Sequence, residues 1–297
     1  MSSAYTVVTD TSANLPAELL ERLGVKVIPF YYSCAGEEKC CLDTAAFEDG
    51  EGEEYYARLK AGERVNTSQI NPQSYMDFFE PMLRAGEDVL YIGMSSGISN
   101  SYDSSVAAAD RLREAYPERK IVAFDTLAAS LGEGKAVLRA ADCRDKGMSM
   151  AETVKLLKRE RRDLYQTVLL DDLMFLHRGG RVSAPKALLG TVLGIRPIIK
   201  GDAGGRLVVC GKTRGRKRGL EALAEKYEKL VSRDRKQVVG IAYTDCPEDA
   251  YELRDMLAAI RDPGEFMIVR YEPVTGSYVG PGTVALFFDG TENAREY

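Results

Sequence analysis

A serine-rich loop is the segment of this chain whose residues are best suited to chemistry. Residues 95–105 offer six serine hydroxyls and a tyrosine hydroxyl, with no lysine or arginine among them. The loop directly follows residues 88–94, whose apolar run predicts a buried strand. In an open α/β sheet, ligands bind just outside the carboxyl ends of the strands, where loop amides and helix N-termini converge. The loop therefore predicts a site that holds a small oxygen-rich or anionic group with neutral donors.

Similar polar segments follow other predicted strands, which strengthens this interpretation. Thr9-Asp-Thr-Ser12 ends the first predicted strand, and Asp125-Thr126 ends the strand predicted at residues 121–124. Because the carboxyl ends of parallel strands share one edge of a sheet, these segments should lie near the serine loop. Capping is the competing explanation, since serine and threonine hydroxyls also accept hydrogen bonds from the free amides at a helix start. It applies equally to Thr67-Ser68, which precedes a predicted helix.

Two basic segments could bind an anion. Arg178-Gly-Gly-Arg181 could form a phosphate nest, in which glycine amides approach the anion and arginines add charge. A tight turn with two solvated arginines explains it equally well. Residues 212–218 place five cations at the start of a predicted helix, where they oppose the helix dipole. This favours an anionic ligand or acidic partner about as strongly as a solvated turn. Nucleic acid is disfavoured, because the net charge is -5 and no aromatic residues are interleaved there.

The residue types that most hydrolases and metalloenzymes need are scarce in the sequence. His177 is the only histidine, which argues against a serine–histidine–aspartate set, and the six cysteines contain no C-x-x-C pair for zinc. No Walker loop or G-x-G-x-x-G segment supports a nucleotide site. We therefore predict no catalytic residue, no metal and no cofactor, and a chain that binds an anion without transforming it.

The order of the predicted elements gives the fold class. Strands and helices alternate over residues 1–163, which indicates a doubly wound α/β domain with a mostly parallel sheet. Residues 164–297 predict an α+β domain with a mixed sheet. The elements predicted within these two domains include a strand at residues 25–32, a loop at residues 65–72, a helix at residues 184–193 and a glycine-rich loop at residues 276–282.

Composition places the chain among ordinary globular proteins. Its 297 residues suggest about two domains, and it is 45% hydrophobic and 29% charged. No apolar stretch approaches the roughly 18 residues that span a bilayer, and residues 1–10 lack the pattern of a signal peptide. The cysteine usage suggests free thiols in a reducing compartment. The sequence thus predicts a cytoplasmic protein without a membrane span.

Several short motifs follow one another in a set order along the chain. They are Val7-Val-Thr-Asp-Thr-Ser12, Thr67-Ser-Gln69, Ser95-Ser-Gly-Ile-Ser99, Arg178-Gly-Gly-Arg-Val-Ser183, Ile195-Arg-Pro-Ile198, Arg214 and Gly280-Pro-Gly282. Each motif is weak by itself, whereas the ordered set is specific and resembles the DegV family of bacterial fatty-acid-binding proteins over essentially the whole chain. The resemblance implies a two-domain protein that buries a long acyl chain between its domains, similar to the lipid-carrying subunit of the bacterial fatty-acid kinase system.

The resemblance also implies roles for individual ligand-binding residues. The family's carboxylate-binding threonine falls on Thr67 and its serine on Ser99, with Ser68 and Ser96 as supporting donors. The family commonly has a histidine where this chain has Tyr278. A tyrosine hydroxyl can still donate a hydrogen bond, but it stays neutral at physiological pH. Handling of the head group should therefore differ from that of relatives with the histidine.

Two functions follow as hypotheses. In the first, the chain carries a long-chain fatty acid and a separate fatty-acid kinase phosphorylates the carboxylate, so the chain itself is not an enzyme. The family's arginine near the partner surface falls on Arg214, and the candidate docking residues are Arg214, Arg216, Lys217 and Arg218. In the second, the chain is a small-molecule kinase or phosphotransfer enzyme that uses the loop at residues 178–181 for phosphate.

Overall fold

The strands in the part of the chain that the structure describes form three sheets. The computed structural model describes residues 5–34, 36–41, 47–183, 194–234 and 236–297. The strands in these ranges are β1 (Tyr5–Asp10), β2 (Lys26–Ile28), β3 (Tyr31–Cys34), β4 (Glu37–Cys40), β5 (Val65–Ser68), β6 (Asp88–Gly93), β7 (Ile121–Asp125), β8 (Leu164–Leu169), β9 (Ile195–Gly201), β10 (Leu207–Arg214), β11 (Gln237–Tyr243), β12 (Gly264–Arg270) and β13 (Val284–Asp289).

Helices connect most of these strands. The α-helices in the described part of the chain are α1 (Ala17–Arg22), α2 (Gly52–Lys60), α3 (Pro72–Arg84), α4 (Ser101–Ala115), α5 (Leu131–Asp145), α6 (Met150–Glu160), α7 (Met174–Arg178), α8 (Arg216–Leu230), α9 (Pro247–Ile260) and α10 (Pro273–Val279). None of these described helices is both long enough and apolar enough to cross a membrane. The helix predicted at residues 184–193 lies outside the described residues.

The first domain is built on a parallel sheet with the strand order β2-β1-β6-β7. Every residue of β6 is buried, as is nearly all of β1. A parallel sheet needs such apolar strands because helices cover its faces, and α3, α4 and α5 pack against this one. The predicted doubly wound α/β domain is therefore confirmed.

The second domain is built on a six-stranded mixed sheet with the order β10-β9-β8-β13-β11-β12. β11 and β12 are parallel, and the other neighbours are antiparallel. On one face, α8 and α9 bury an apolar cluster that includes Leu223, Tyr227 and Leu253. The other face packs against α5 of the first domain, where a Cβ on Gly240 would lie 3.0 Å from Leu131. The predicted mixed-sheet domain is confirmed, while the boundary between residues 163 and 164 stays a prediction.

A small antiparallel sheet, β4-β3-β5, corrects two sequence predictions. The single strand predicted at residues 25–32 is two strands, because the chain leaves the parallel sheet after β2 and enters the small sheet as β3. The loop predicted at residues 65–72 contains β5, in which Thr67 pairs with Tyr32. β5 is an edge strand whose residues alternate in exposure, so few of them have to be apolar. Its polar residues therefore do not show the apolar pattern by which a strand is predicted from sequence.

Two carboxylic acids are buried together where β1 meets α5. Asp10 accepts hydrogen bonds from the Ser12 amide (2.8 Å), the Ser12 hydroxyl and the Tyr91 hydroxyl (2.6 Å). Glu133 is fully buried, with its oxygens 3.0 Å from the Thr9 hydroxyl and 2.8 Å from the Ser12 hydroxyl. Burial raises the pKa of both acids, and the charge of Asp10 raises that of Glu133 further. The polar segment after β1 thus turns inward to stabilise the first domain.

Candidate functional site

A cavity of about 260 Å³ lies between the two domains. Most of its wall is apolar and includes Met94, Val168, Leu176, Ile199, Leu207 and Phe287. Four polar lining residues are ones that the sequence predicts, namely Thr67, Ser68, Ser99 and Tyr278. The others are Gln69, Gln166, Arg181, Tyr271 and Thr275. A mostly apolar cavity with a few polar groups suits a ligand that is largely apolar and carries one polar group.

Thr67 and Tyr278 contact each other in the wall of this cavity. Their hydroxyl oxygens are 2.7 Å apart and hydrogen-bonded, although 211 positions separate the residues in the sequence. The sequence predicts a loop around Tyr278, but Pro273–Val279 is a helix. Pro273 at its first position is a helix-start signal, and Gly280, with φ of 79°, ends it in a conformation that favours glycine. The helix therefore aims Tyr278 at Thr67.

Ser99 is positioned to donate a hydrogen bond into the cavity. It lies in the loop between β6 and α4 and is buried. Its hydroxyl oxygen accepts a hydrogen bond from the Ser101 amide (3.2 Å), which leaves the O–H available as a donor. The Ser95 carbonyl accepts from the amides of Ile98 and Ser99, both at 3.0 Å, and so fixes this turn. Ser68 also lines the cavity but is largely exposed.

Other serines of the loop organise the chain and do not reach the cavity. The Ser95 hydroxyl donates to the Gly205 carbonyl (2.8 Å), which ties the loop to the second domain. Ser96 is exposed, and its hydroxyl donates to the Asp125 carboxylate (2.6 Å) at the end of β7. The sequence predicts Ser96 as a supporting donor, but the structure does not bring it together with Thr67 and Ser99.

Arg181 adds a cation to the cavity wall, whereas the serine loop by itself predicts neutral donors. Its guanidinium stacks on the Tyr278 ring, 4.4 Å from the ring centre, and donates to the Ile98 carbonyl (3.2 Å). Arg178 stacks on Phe175 instead. The two arginines thus point to different neighbours, which does not favour the predicted phosphate nest. The sequence motif singled out Arg181 but did not reveal its place beside the serine loop.

A second unpredicted polar group is the hydroxyl of Thr275. It lies one helical turn before Tyr278 on α10, so both side chains face the same way. The hydroxyl is buried, and it lies near enough to Glu272 for a hydrogen bond from it to lower the pKa of that carboxyl. Nothing in the sequence pattern singles out this threonine, because its helix was not predicted.

Glu272 holds the start of the helix that carries Tyr278. Its carboxyl oxygens accept hydrogen bonds from the amides of Val274 and Thr275, both at 2.6 Å. This is a helix cap supplied by a glutamate that is almost completely buried. Burial is the main cause that raises the pKa of Glu272 to about 7.

The Glu272 carboxyl should make the stability of the chain depend on pH. Its pKa is about 7 in the folded state and about 4.3 when unfolded, so between these values only the folded state keeps the proton. Stability from this group is complete below the lower value and is lost as the pH rises through 7. We expect wild type to lose up to about 3 kcal/mol more unfolding free energy from pH 5 to 8 than Glu272→Gln, measured by urea denaturation.

A second capping glutamate provides the control. Glu152 accepts from the Ser149 amide (2.9 Å) at the start of α6, and hydrogen bonds from Ser149 lower its pKa. It is therefore ionised throughout this pH range, and Glu152→Gln should retain the wild-type pH slope. Equal slopes for wild type and Glu272→Gln would show that Glu272 does not hold a proton near neutral pH.

The predicted docking residues divide into two groups. Arg216 turns inward and donates to Asp249 (2.7 Å), to Asp171 (3.2 Å) and to the Gly282 carbonyl (2.5 Å). It therefore ties the start of α8 to the loop after α10. The exposed members of the cluster are Arg214, Lys217 and Arg218.

Comparisons with known proteins cover almost the whole chain. The DegV family model matches residues 4–290. A DegV domain-containing protein of Clostridium perfringens is 32% identical, with 96% of this chain and 97% of that protein aligned. A DegV family protein from Thermus thermophilus, described by its fatty acid binding, is 29% identical with a TM-score of 0.83, covering 97% of this chain and 99% of that one. DegV from Bacillus subtilis, described as a fatty acid binding protein, is 26% identical with a TM-score of 0.79, covering 96% and 99%.

Proposed function

The chain belongs to the DegV family, and from this premise we propose that it binds a long-chain fatty acid in the cavity between its domains. The observation that carries the proposal is the composition of the cavity wall. Apolar side chains form most of the wall, and hydrogen-bonding groups meet where Tyr278 contacts both Thr67 and Arg181. A fatty acid has the same division into an apolar tail and one polar head.

The tail would supply most of the affinity. Each buried methylene gains about 0.8 kcal/mol, so a long acyl chain outweighs any single hydrogen bond at the head. The head must still be satisfied, because an unpaired buried carboxylate is costly. We assign this role to the hydroxyls of Thr67 and Ser99 and to the Arg181 guanidinium, with Tyr278 holding Thr67 and Arg181 in place.

We further propose that the bound carboxylate is presented to a separate kinase, which phosphorylates it with ATP. The family resemblance suggests this partner, and the exposed cations Arg214, Lys217 and Arg218 offer it an electropositive surface. A partner that consumes ATP also favours a cytoplasmic location. Arg216 is left out of this docking surface, because its guanidinium already bonds to Asp171 and Asp249.

Native mass spectrometry of the protein isolated from bacteria tests the binding proposal. We expect a mass increase equal to one fatty acid, and uptake of one oleate per chain after delipidation. A chain that carries no lipid and takes up neither oleate nor palmitate would overturn the proposal.

Phosphoryl transfer tests the kinase step in the same preparation. With a bacterial fatty-acid kinase and ATP, Arg214→Glu should lower acyl phosphate formation and leave oleate uptake unchanged. Lys158→Glu is the control, because this lysine is exposed on α6 of the first domain and lies outside the docking surface. Equal rates for wild type and Arg214→Glu would remove the docking surface from the proposal and leave fatty-acid binding intact.

A further inference from the structure

Gln166 places an amide against the apolar part of the cavity. It lies on β8, is 3% exposed and lines the cavity together with Val168 on the same face of the strand. Its neighbour across the sheet is Phe287. A glutamine here is unusual, because inward-facing positions of a central strand are normally apolar.

The orientation of this amide is fixed by the backbone. Its Oε1 accepts a hydrogen bond from the Ala129 amide (3.3 Å), so the opposite assignment would set an NH₂ group against an N–H donor. A Cβ on Gly201 would collide with Nε2, and one on Gly132 would lie 3.0 Å from Oε1, so two glycines leave the room that the amide fills. Nε2 is buried and has no hydrogen-bond partner among the described residues. It is therefore an oriented donor that lacks an acceptor.

Along the sheet, the donor lies away from Tyr278. On β8 and β13, Gln166 pairs with Phe287 and Leu169 pairs with Val284. Helix α10, which carries Tyr278, precedes Val284, so Tyr278 lies beyond that end of the strands. Three residues of strand separate the two pairs, which is about 10 Å. The amide thus faces the tail of a fatty acid whose carboxylate meets Tyr278.

We propose that Gln166 recognises an oxygen atom on the acyl tail, so that the chain prefers an oxygenated long-chain fatty acid, such as a hydroxy acid, over the unsubstituted acid. The proposal rests on fatty-acid binding in this cavity. A plain tail leaves Nε2 unsatisfied, and a buried donor without an acceptor weakens binding of that tail. A hydroxyl or carbonyl oxygen at the matching position would accept its hydrogen bond.

Competitive binding of stearate and hydroxystearates to the delipidated full chain tests this inference. A panel with the hydroxyl at different positions along the tail locates the matching carbon. The quantity to compare is the ratio of the stearate Kd to the hydroxystearate Kd, taken for the isomer that binds most tightly. We expect this ratio to be about tenfold lower in Gln166→Met than in wild type, because methionine has a similar volume and no donor. Gln166→Leu, which also lacks a donor, provides a second variant if the methionine variant fails to fold.

Val168→Ala is the matched control, because it removes an apolar contact on the same face of β8. It should weaken both acids by a similar factor and leave the ratio of their Kd values at the wild-type value. If stearate binds and the ratio is the same in wild type and the Gln166 variants for every isomer, this inference is wrong and the proposed function stands. If neither acid binds to the wild-type chain, the proposed function fails.

Discussion

Replacing Arg181 by methionine is expected to weaken oleate binding about tenfold to a hundredfold. The guanidinium lies on the Tyr278 ring, and through the Ile98 carbonyl it is joined to the turn that carries Ser99. A hydrogen bond from a cation to a carboxylate contributes about 1.5–3 kcal/mol, more than a bond from a neutral hydroxyl. Methionine keeps much of the apolar stem that covers Tyr278 and removes the charge. Isothermal calorimetry of the delipidated chain with oleate measures the change.

Arg178→Met is the control for this prediction. Arg178 belongs to the same motif, carries the same charge and is exposed, but it stacks on Phe175 outside the cavity wall. We expect its Kd for oleate to stay close to the wild-type value. Equal losses of oleate affinity in the two variants would indicate a general effect of charge. An unchanged affinity in Arg181→Met would mean that only the hydroxyl groups bind the carboxylate.

Replacing Glu133 by alanine is expected to cost about 3–5 kcal/mol of unfolding free energy, whereas Glu133→Gln should cost about 1 kcal/mol or less. The Ser12 hydroxyl has one proton and lies within hydrogen-bonding distance of both Asp10 and Glu133. Asp10 also accepts from the Ser12 amide and the Tyr91 hydroxyl, so it is the acid that ionises. Glu133 then holds its proton and donates to Ser12, in agreement with its strongly raised pKa.

Glutamine reproduces the neutral form of Glu133, because it keeps an acceptor for Thr9 and a donor for Ser12. Alanine removes both bonds and leaves a cavity in the first domain. Urea denaturation of the two variants at pH 7 measures the difference. A glutamine variant as unstable as the alanine variant would mean that Glu133 is ionised in the folded chain.

Much of the fold could be predicted because the relevant signals are local. Apolar runs such as residues 88–94 and alternation of strands with helices identify a sheet covered by helices on both faces. The predictions that were wrong concern short elements with weak burial or few residues. β5 is a polar edge strand, and α10 is a seven-residue helix in a segment rich in glycine. Their conformations are imposed by neighbours that are distant in sequence, so no local pattern reveals them.

The candidate site, like the fold, could be predicted from the sequence only in part. The sequence and its family resemblance single out Thr67, Ser99 and Tyr278, and all three line one cavity. Ser96 follows the same serine-rich pattern, yet its hydroxyl binds Asp125. A serine hydroxyl can cap a helix, stabilise a turn or bind a ligand, so residue type alone cannot separate these roles.

By itself, the sequence determined the fold class, the family and the serine loop as a source of hydrogen-bond donors. Only the tertiary structure decided which donors act together. Packing of the two domains joins Thr67 to Tyr278 across 211 positions of sequence, and packing within the second domain brings Arg181 onto Tyr278. Packing within the second domain also turns Arg216 inward, and the amide of Gln166 lines the cavity between the domains. These contacts depend on distances between separate elements, whereas sequence periodicity reports only which side of one element is buried.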